Sequence, residues 1–92
     1  MGVDKMSGST DNIREIGGLI NSFRAKAPDQ TSMHTLTRYL HTALDMAQKK
    51  NRAGTELAFK SAYGEANVLG SKGFDVLVDL EHIVERIKKI AE

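Results

Sequence analysis

A chain of 92 residues with 40% apolar side chains, 27% charged ones and a formal net charge of +1 has the composition of one small domain, too short for two cores. No run approaches the roughly 18 to 20 unbroken apolar residues that cross a bilayer, and the start lacks the basic and apolar regions of a secretory signal, so the expected compartment is the cytoplasm. The lack of cysteine excludes disulfides, thiolate zinc sites and thiol nucleophiles, and the near balance of charge excludes the global field of a dedicated nucleic-acid binder.

Residues 1–11, MGVDKMSGSTD, carry Gly, Ser and Asp without periodic apolar partners and read as a disordered lead ahead of a domain over residues 12–92. Met6 leaves open a native start within that lead. Asp11 or Asn12 is placed to cap a first helix, whose apolar positions Ile13, Ile16, Leu19, Ile20 and Phe23 fall at helical spacing and stop near Ala27, before Pro28. Gly17 and Gly18 each cost such a helix about 1 kcal/mol relative to Ala. The expected return is a close backbone approach by another helix, with a kink as the alternative.

Thr31 or Ser32 is expected to cap a second helix with the stripe Met33, Leu36, Leu40, Leu44 and Ala47, widened by Tyr39, Ala43 and Met46. Thr37, Arg38, His41, Asp45 and Gln48 fall on its opposite surface. The segment KKNRAGT interrupts the pattern, and Asn51 and Gly54 are its punctuation; without a proline, fusion into one rod is the alternative. Leu57, Ala58, Phe59, Ala62, Tyr63, Ala66 and Leu69 then make a third, alanine-rich helix, with Gly70 as its expected stop and GSKG as a turn.

The final segment has the strongest period. Val76, Leu80, Ile83, Ile87 and Ile90 repeat at four and three, while Leu77, Val84 and Ala91 widen the face and Val78 extends it further. FDVLV alone is strand-like, but the helical spacing continues for four more turns. The fold predicted is all-α, an antiparallel three- or four-helix bundle.

An apolar face over about half of a helix needs cover from more than one side. Each Ile or Val left outside the core would contribute about 1.5 to 3 kcal/mol to association when buried. This predicts a non-enzymatic interaction or regulatory module that pairs with itself or another protein through its first and last helices, at Ile13, Ile16, Leu19, Val76, Leu80, Ile83, Ile87 and Ile90. A self-contained monomer with the last helix at its centre is the competing expectation.

Chemistry is sparse. His34 and His41, seven residues apart on one helix, stand roughly 10 Å apart along its axis, too far to share a metal. His41 with Asp45, and His82 with Asp79 and Glu85, read as solvated ion pairs. Asp75, Asp79, Glu81 and Glu85 make a solvated acidic face without calcium-loop spacing. The GSKG turn with Lys72 lacks the spacing of a nucleotide loop, and no catalytic triad, metal site, cofactor or small-molecule ligand is expected.

Lys49, Lys50, Arg52 and Lys60 against Glu56 give a local charge of +3, the basis of the alternative reading, a nucleic-acid-associated regulator. Arg86, Lys88 and Lys89 form a second basic cluster, although cations at helix C-termini also match the helix dipole. Phe23, Tyr39, Phe59, Tyr63 and Phe74 lie in apolar stripes and offer no base-stacking platform. His34-Thr35-Leu36 resembles, over three residues only, the exposed histidine of a histidine phosphotransfer domain, with Thr37 and Arg38 where a basic and then a small residue usually follow. Phosphotransfer is the third reading. A pocket formed by Tyr39, His41 and Asp45 would favour an enzyme.

Overall fold

The computed structural model describes the backbone of residues 2–92 and the side chains of residues 12–92. The lead expected over residues 1–11 lies outside the residues described in full. The described residues form four helices, α1 (Gly2–Arg24), α2 (Thr31–Gln48), α3 (Arg52–Ser71) and α4 (Leu77–Ala91). No strand occurs among the described residues.

The apolar spacing builds the core much as the sequence predicts. Ile16, Ile20 and Phe23 of α1, Met33, Leu36, Leu40 and Leu44 of α2, Phe59 and Leu69 of α3, and Leu80, Ile83, Val84 and Ile87 of α4 are all buried together. The helix pair α2 and α3 shares the most extensive contact. Ala43 and Ala47 on one side and Ala58, Ala62 and Ala66 on the other are buried there, and their small side chains let the two axes approach. Helix α4 touches all three of the others, whereas α1 and α3 do not meet.

The boundaries show which local chemistry operates. Helix α1 begins upstream of Asn12 and tightens at its end through short-range bonds, Ala25 N–H to Ser22 O and Lys26 N–H to Phe23 O, before Pro28. Gln30, not Thr31 or Ser32, occupies the position before α2 and makes no side-chain cap. Thr37, expected on the polar surface, is buried at the edge of the stripe, and its hydroxyl donates to His34 O at 3.0 Å.

Helices α2 and α3 are separate, and the break is made by a residue the sequence reading passed over. Lys50 adopts the left-handed conformation at φ 58°. The N–H groups of Lys50 and Asn51 then reach back to Ala47 O at 3.0 Å and Met46 O at 2.9 Å, a Schellman closure. Asn51 caps α3 by accepting the Gly54 N–H at 2.9 Å. The same closure ends α3. There the left-handed residue is Gly73, at φ 94°, with Gly73 N–H on Gly70 O and Phe74 N–H on Leu69 O. Gly70, the expected stop, lies inside the helix.

The two glycines of α1 do not serve close packing, because a Cβ at Gly17 or Gly18 would meet nothing within 4 Å. Position explains this. Each follows the core residue Ile16 by only one or two places, and a helix turns about 100° per residue, so both point away from the stripe.

Candidate functional site

The residues expected to form an interaction face are mostly used by the fold itself. Ile16, Val76, Leu80, Ile83 and Ile87 are buried within the single chain, and Ile13, Leu19 and Ile90 are partly buried against the same core. The width of the α4 face is explained by its neighbours: three helices cover it from three directions.

Two apolar side chains of α4 remain outside. Val76 and Leu80, four residues apart, both point into the core, which turns Leu77 and Val78 about 100° and 200° away from Val76. Leu77 is therefore 41% exposed and Val78 is 74% exposed. Leu77, but not Val78, lines a cleft of about 260 Å³ together with Ala66, Gly70, Gly73, Phe74, Asp75 and Val76. A Cβ at Gly70 or Gly73 would meet nothing within 4 Å, so neither glycine is required by packing there, and Gly73 is required by its positive φ.

This edge is held in place from the opposite end of the chain. Lys26, in the loop after α1, bonds to the Asp79 carboxylate one residue beyond Val78. Lys72 donates to the Gln30 side chain at 3.4 Å, a second tie to the same loop region. The projection and the cleft thus stand next to each other on an anchored turn. A second apolar pair, Leu57 and Val68 on α3, faces outward from the core. These lie eleven residues apart on one line of the helix, roughly 16 Å along its axis.

Some of the basic residues meet where the turn between α2 and α3 packs on the end of α4: Lys50 and Lys89 line one cleft, and Arg52 and Lys88 line another. Lys49 pairs with Asp45 at 3.1 Å, and Lys50 donates its ammonium to Ile90 O at the end of α4. Arg52 lies in a cleft shared with Glu56 and Lys88, and Lys60 stands about two turns further along α3. Arg86, assigned by sequence to a second cationic cluster, is a strut between helices: it donates to Glu15 at 2.8 Å and Asn12 at 2.6 Å. That contact, first by hydrogen bonding and then by charge, holds the Glu15 carboxyl below the usual carboxylate range. Lys88 stands 3.7 Å from Glu85, and Lys89 is exposed.

The histidines are exposed, and His34 Nε2 lies 2.8 Å from Pro28 O. The groove that His41 lines includes neither Tyr39 nor Asp45, and Asp45 pairs with Lys49. Among the described residues, no three His, Asp or Glu side chains converge as metal ligands would. Tyr63 is pushed above the usual phenol range by partial burial, reinforced by the charges of Glu81 and Glu85 across the α3 and α4 contact.

Sequence reasoning listed Leu77 and Val78 but missed Phe74, Ala66 and Gly70 as the walls beside them. The available signal was the pair of glycines at 70 and 73 directly ahead of an aromatic residue. No family model, curated protein or solved structure matches this chain.

Proposed function

We propose that the protein is a non-enzymatic, cytoplasmic interaction module that pairs with a second copy of itself across the leading edge of α4. The observation that carries this reading is the exposure of Val78 and Leu77 beside the cleft walled by Phe74, Ala66 and Gly70. A two-fold interface joins one patch to the same patch, so the patch must complement itself. Val78 supplies a projection and the cleft a recess.

The strength expected is modest. Covering what these two side chains leave exposed yields roughly 2 to 3 kcal/mol per copy, against an association cost of at least about 4 kcal/mol. For two copies the surplus over that cost is at most about 2 kcal/mol, so the pairing is weak. It replaces a face through Ile16, Leu80 and Ile87, which a partner could reach only by opening the core.

Sedimentation equilibrium over a wide concentration range tests this. The account expects a mass rising from one copy toward two, a Val78→Asp chain that stays monomeric, and a Leu57→Asp chain that behaves as wild type. A constant mass of 10.1 kDa into the millimolar range, or equal loss in both variants, overturns it.

A further inference from the structure

A different pair of helices carries a second feature, independent of the pairing edge. A groove of about 440 Å³ runs between the end of α1 and the first half of α2. Asn21 and Arg24 line it from α1, and His34, Arg38 and His41 line it from α2. The spacings of three on α1 and of four and three on α2 place each set along one side of its helix.

The charge in this groove is one-sided. Its lining contains no carboxylate. Among the described residues neither Arg24 nor Arg38 has an acidic partner, whereas Lys26, Lys49, Arg86 and Lys88 each have one. The first turn of α2, next to His34, also carries no acidic residue to offset the positive end of the helix.

The donors available select the ligand. Thr35 and Thr37 also line the groove, but their hydroxyl protons already go to Thr31 O at 3.1 Å and His34 O at 3.0 Å. The His34 ring is fixed through its Nε2 at Pro28 O. This leaves two guanidinium forks, the His41 ring and the Asn21 amide, from the α1 and α2 sides of the groove. A planar carboxylate fills one fork; a phosphoryl group presents three terminal oxygens in different directions and engages both. The geometry points to a binding site for a phosphate dianion, free or as a phosphomonoester, held by Arg24 and Arg38 with Asn21.

The test is a titration of the full chain with inorganic phosphate and, separately, with O-phosphoserine at constant ionic strength. It is followed by NMR at the Asn21 side-chain amide and the His34 and His41 rings. Saturable shifts are expected with both probes, and Arg24→Gln and Arg38→Gln should each weaken binding by roughly tenfold or more. Arg14→Gln, which removes the same charge from outside the groove, should stay within about twofold. All three arginines are exposed, so these changes leave the core intact. Tighter binding of O-phosphoserine identifies a phosphorylated group on a larger molecule as the source, and equal binding identifies the free anion. Shifts that do not saturate, or an equal loss in Arg14→Gln, overturn the site.

Discussion

The Arg86 guanidinium on α4 donates to the Glu15 carboxylate on α1 at 2.8 Å across 71 residues of chain. With Asn12 as a second acceptor at 2.6 Å, this contact ties the last helix to the first over the partly buried Ile13 and Ile90. It makes the ends of the bundle sensitive to acid. Because the folded state lowers the Glu15 carboxyl below the ordinary range, folding stability gains from it above the unfolded value of about 4.3 and loses that gain as pH falls through the folded value. Glu15→Gln should therefore lower the urea midpoint at neutral pH and have no effect in acid below the carboxylate range. A difference that persists unchanged into acid would show that the contact acts through shape alone.

Two helix ends use the same closure with different residues. Lys50 and Gly73 both sit at the left-handed position of a Schellman motif. A non-glycine residue there costs about 1 to 2 kcal/mol. Lys50→Gly should stabilise the protein by about 1 kcal/mol, after allowing for the loss of its surface bond to Ile90 O. Gly73→Ala should destabilise by about 1 to 2 kcal/mol. Thermal melts of the two variants check the opposite signs.

Glycines inside the helices divide in the same way. A Cβ on Gly64 would meet nothing within 4 Å, so Gly64→Ala should stabilise by roughly 0.5 to 1 kcal/mol through helix propensity. At Gly54 the added carbon would come within 2.9 Å of Asn51 Nδ2 and 3.0 Å of Met46 Sδ. Gly54→Ala should disturb the Asn51 cap and lose about 1 kcal/mol, cancelling or exceeding the propensity gain. Chemical denaturation that found both changes stabilising would refute the cap geometry.

On α4, side chains of similar chemistry have separate roles. Leu80→Ala and Ile87→Ala remove buried groups and should each cost about 2 to 5 kcal/mol. Val78→Ala should alter the stability of the monomer by less than about 0.5 kcal/mol. If Val78→Ala unfolded the chain, the exposed edge would belong to the core.

How much of this was legible follows from which interactions are local. The periodic stripes of α2 and α4 fixed the helices and the core because burial acts on every third or fourth residue, and Met33, Leu36, Leu80 and Ile87 all lie where that rule puts them. Width of face was a poorer guide. The sequence shows that α4 is apolar over many directions but cannot show how many helices will cover it, so Ile83 was expected on an interaction face and is instead enclosed by the neighbouring helices, while Val78, outside the repeat, stays exposed.

Glycine and lysine near turns misled for a different reason. A left-handed residue is selected by the whole closure, and Lys50 takes that position although Asn51 and Gly54 are better suited to it locally. The groove that unites Arg24 with His34 and Arg38 depends on how α1 meets α2. His34 and His41 were noticed, but Arg24 on the other wall is separated from them by the loop at Pro28 and shares no motif with them.

The pairing edge of α4 is tested most directly by methyl and aromatic NMR spectra recorded through serial dilution. Signals of Leu77, Val78 and Phe74 should move together with concentration while those of Ile13, Ile90 and Leu57 stay fixed. Movement confined to Ile13 and Ile90, or spectra that do not change up to millimolar concentration, would contradict the account.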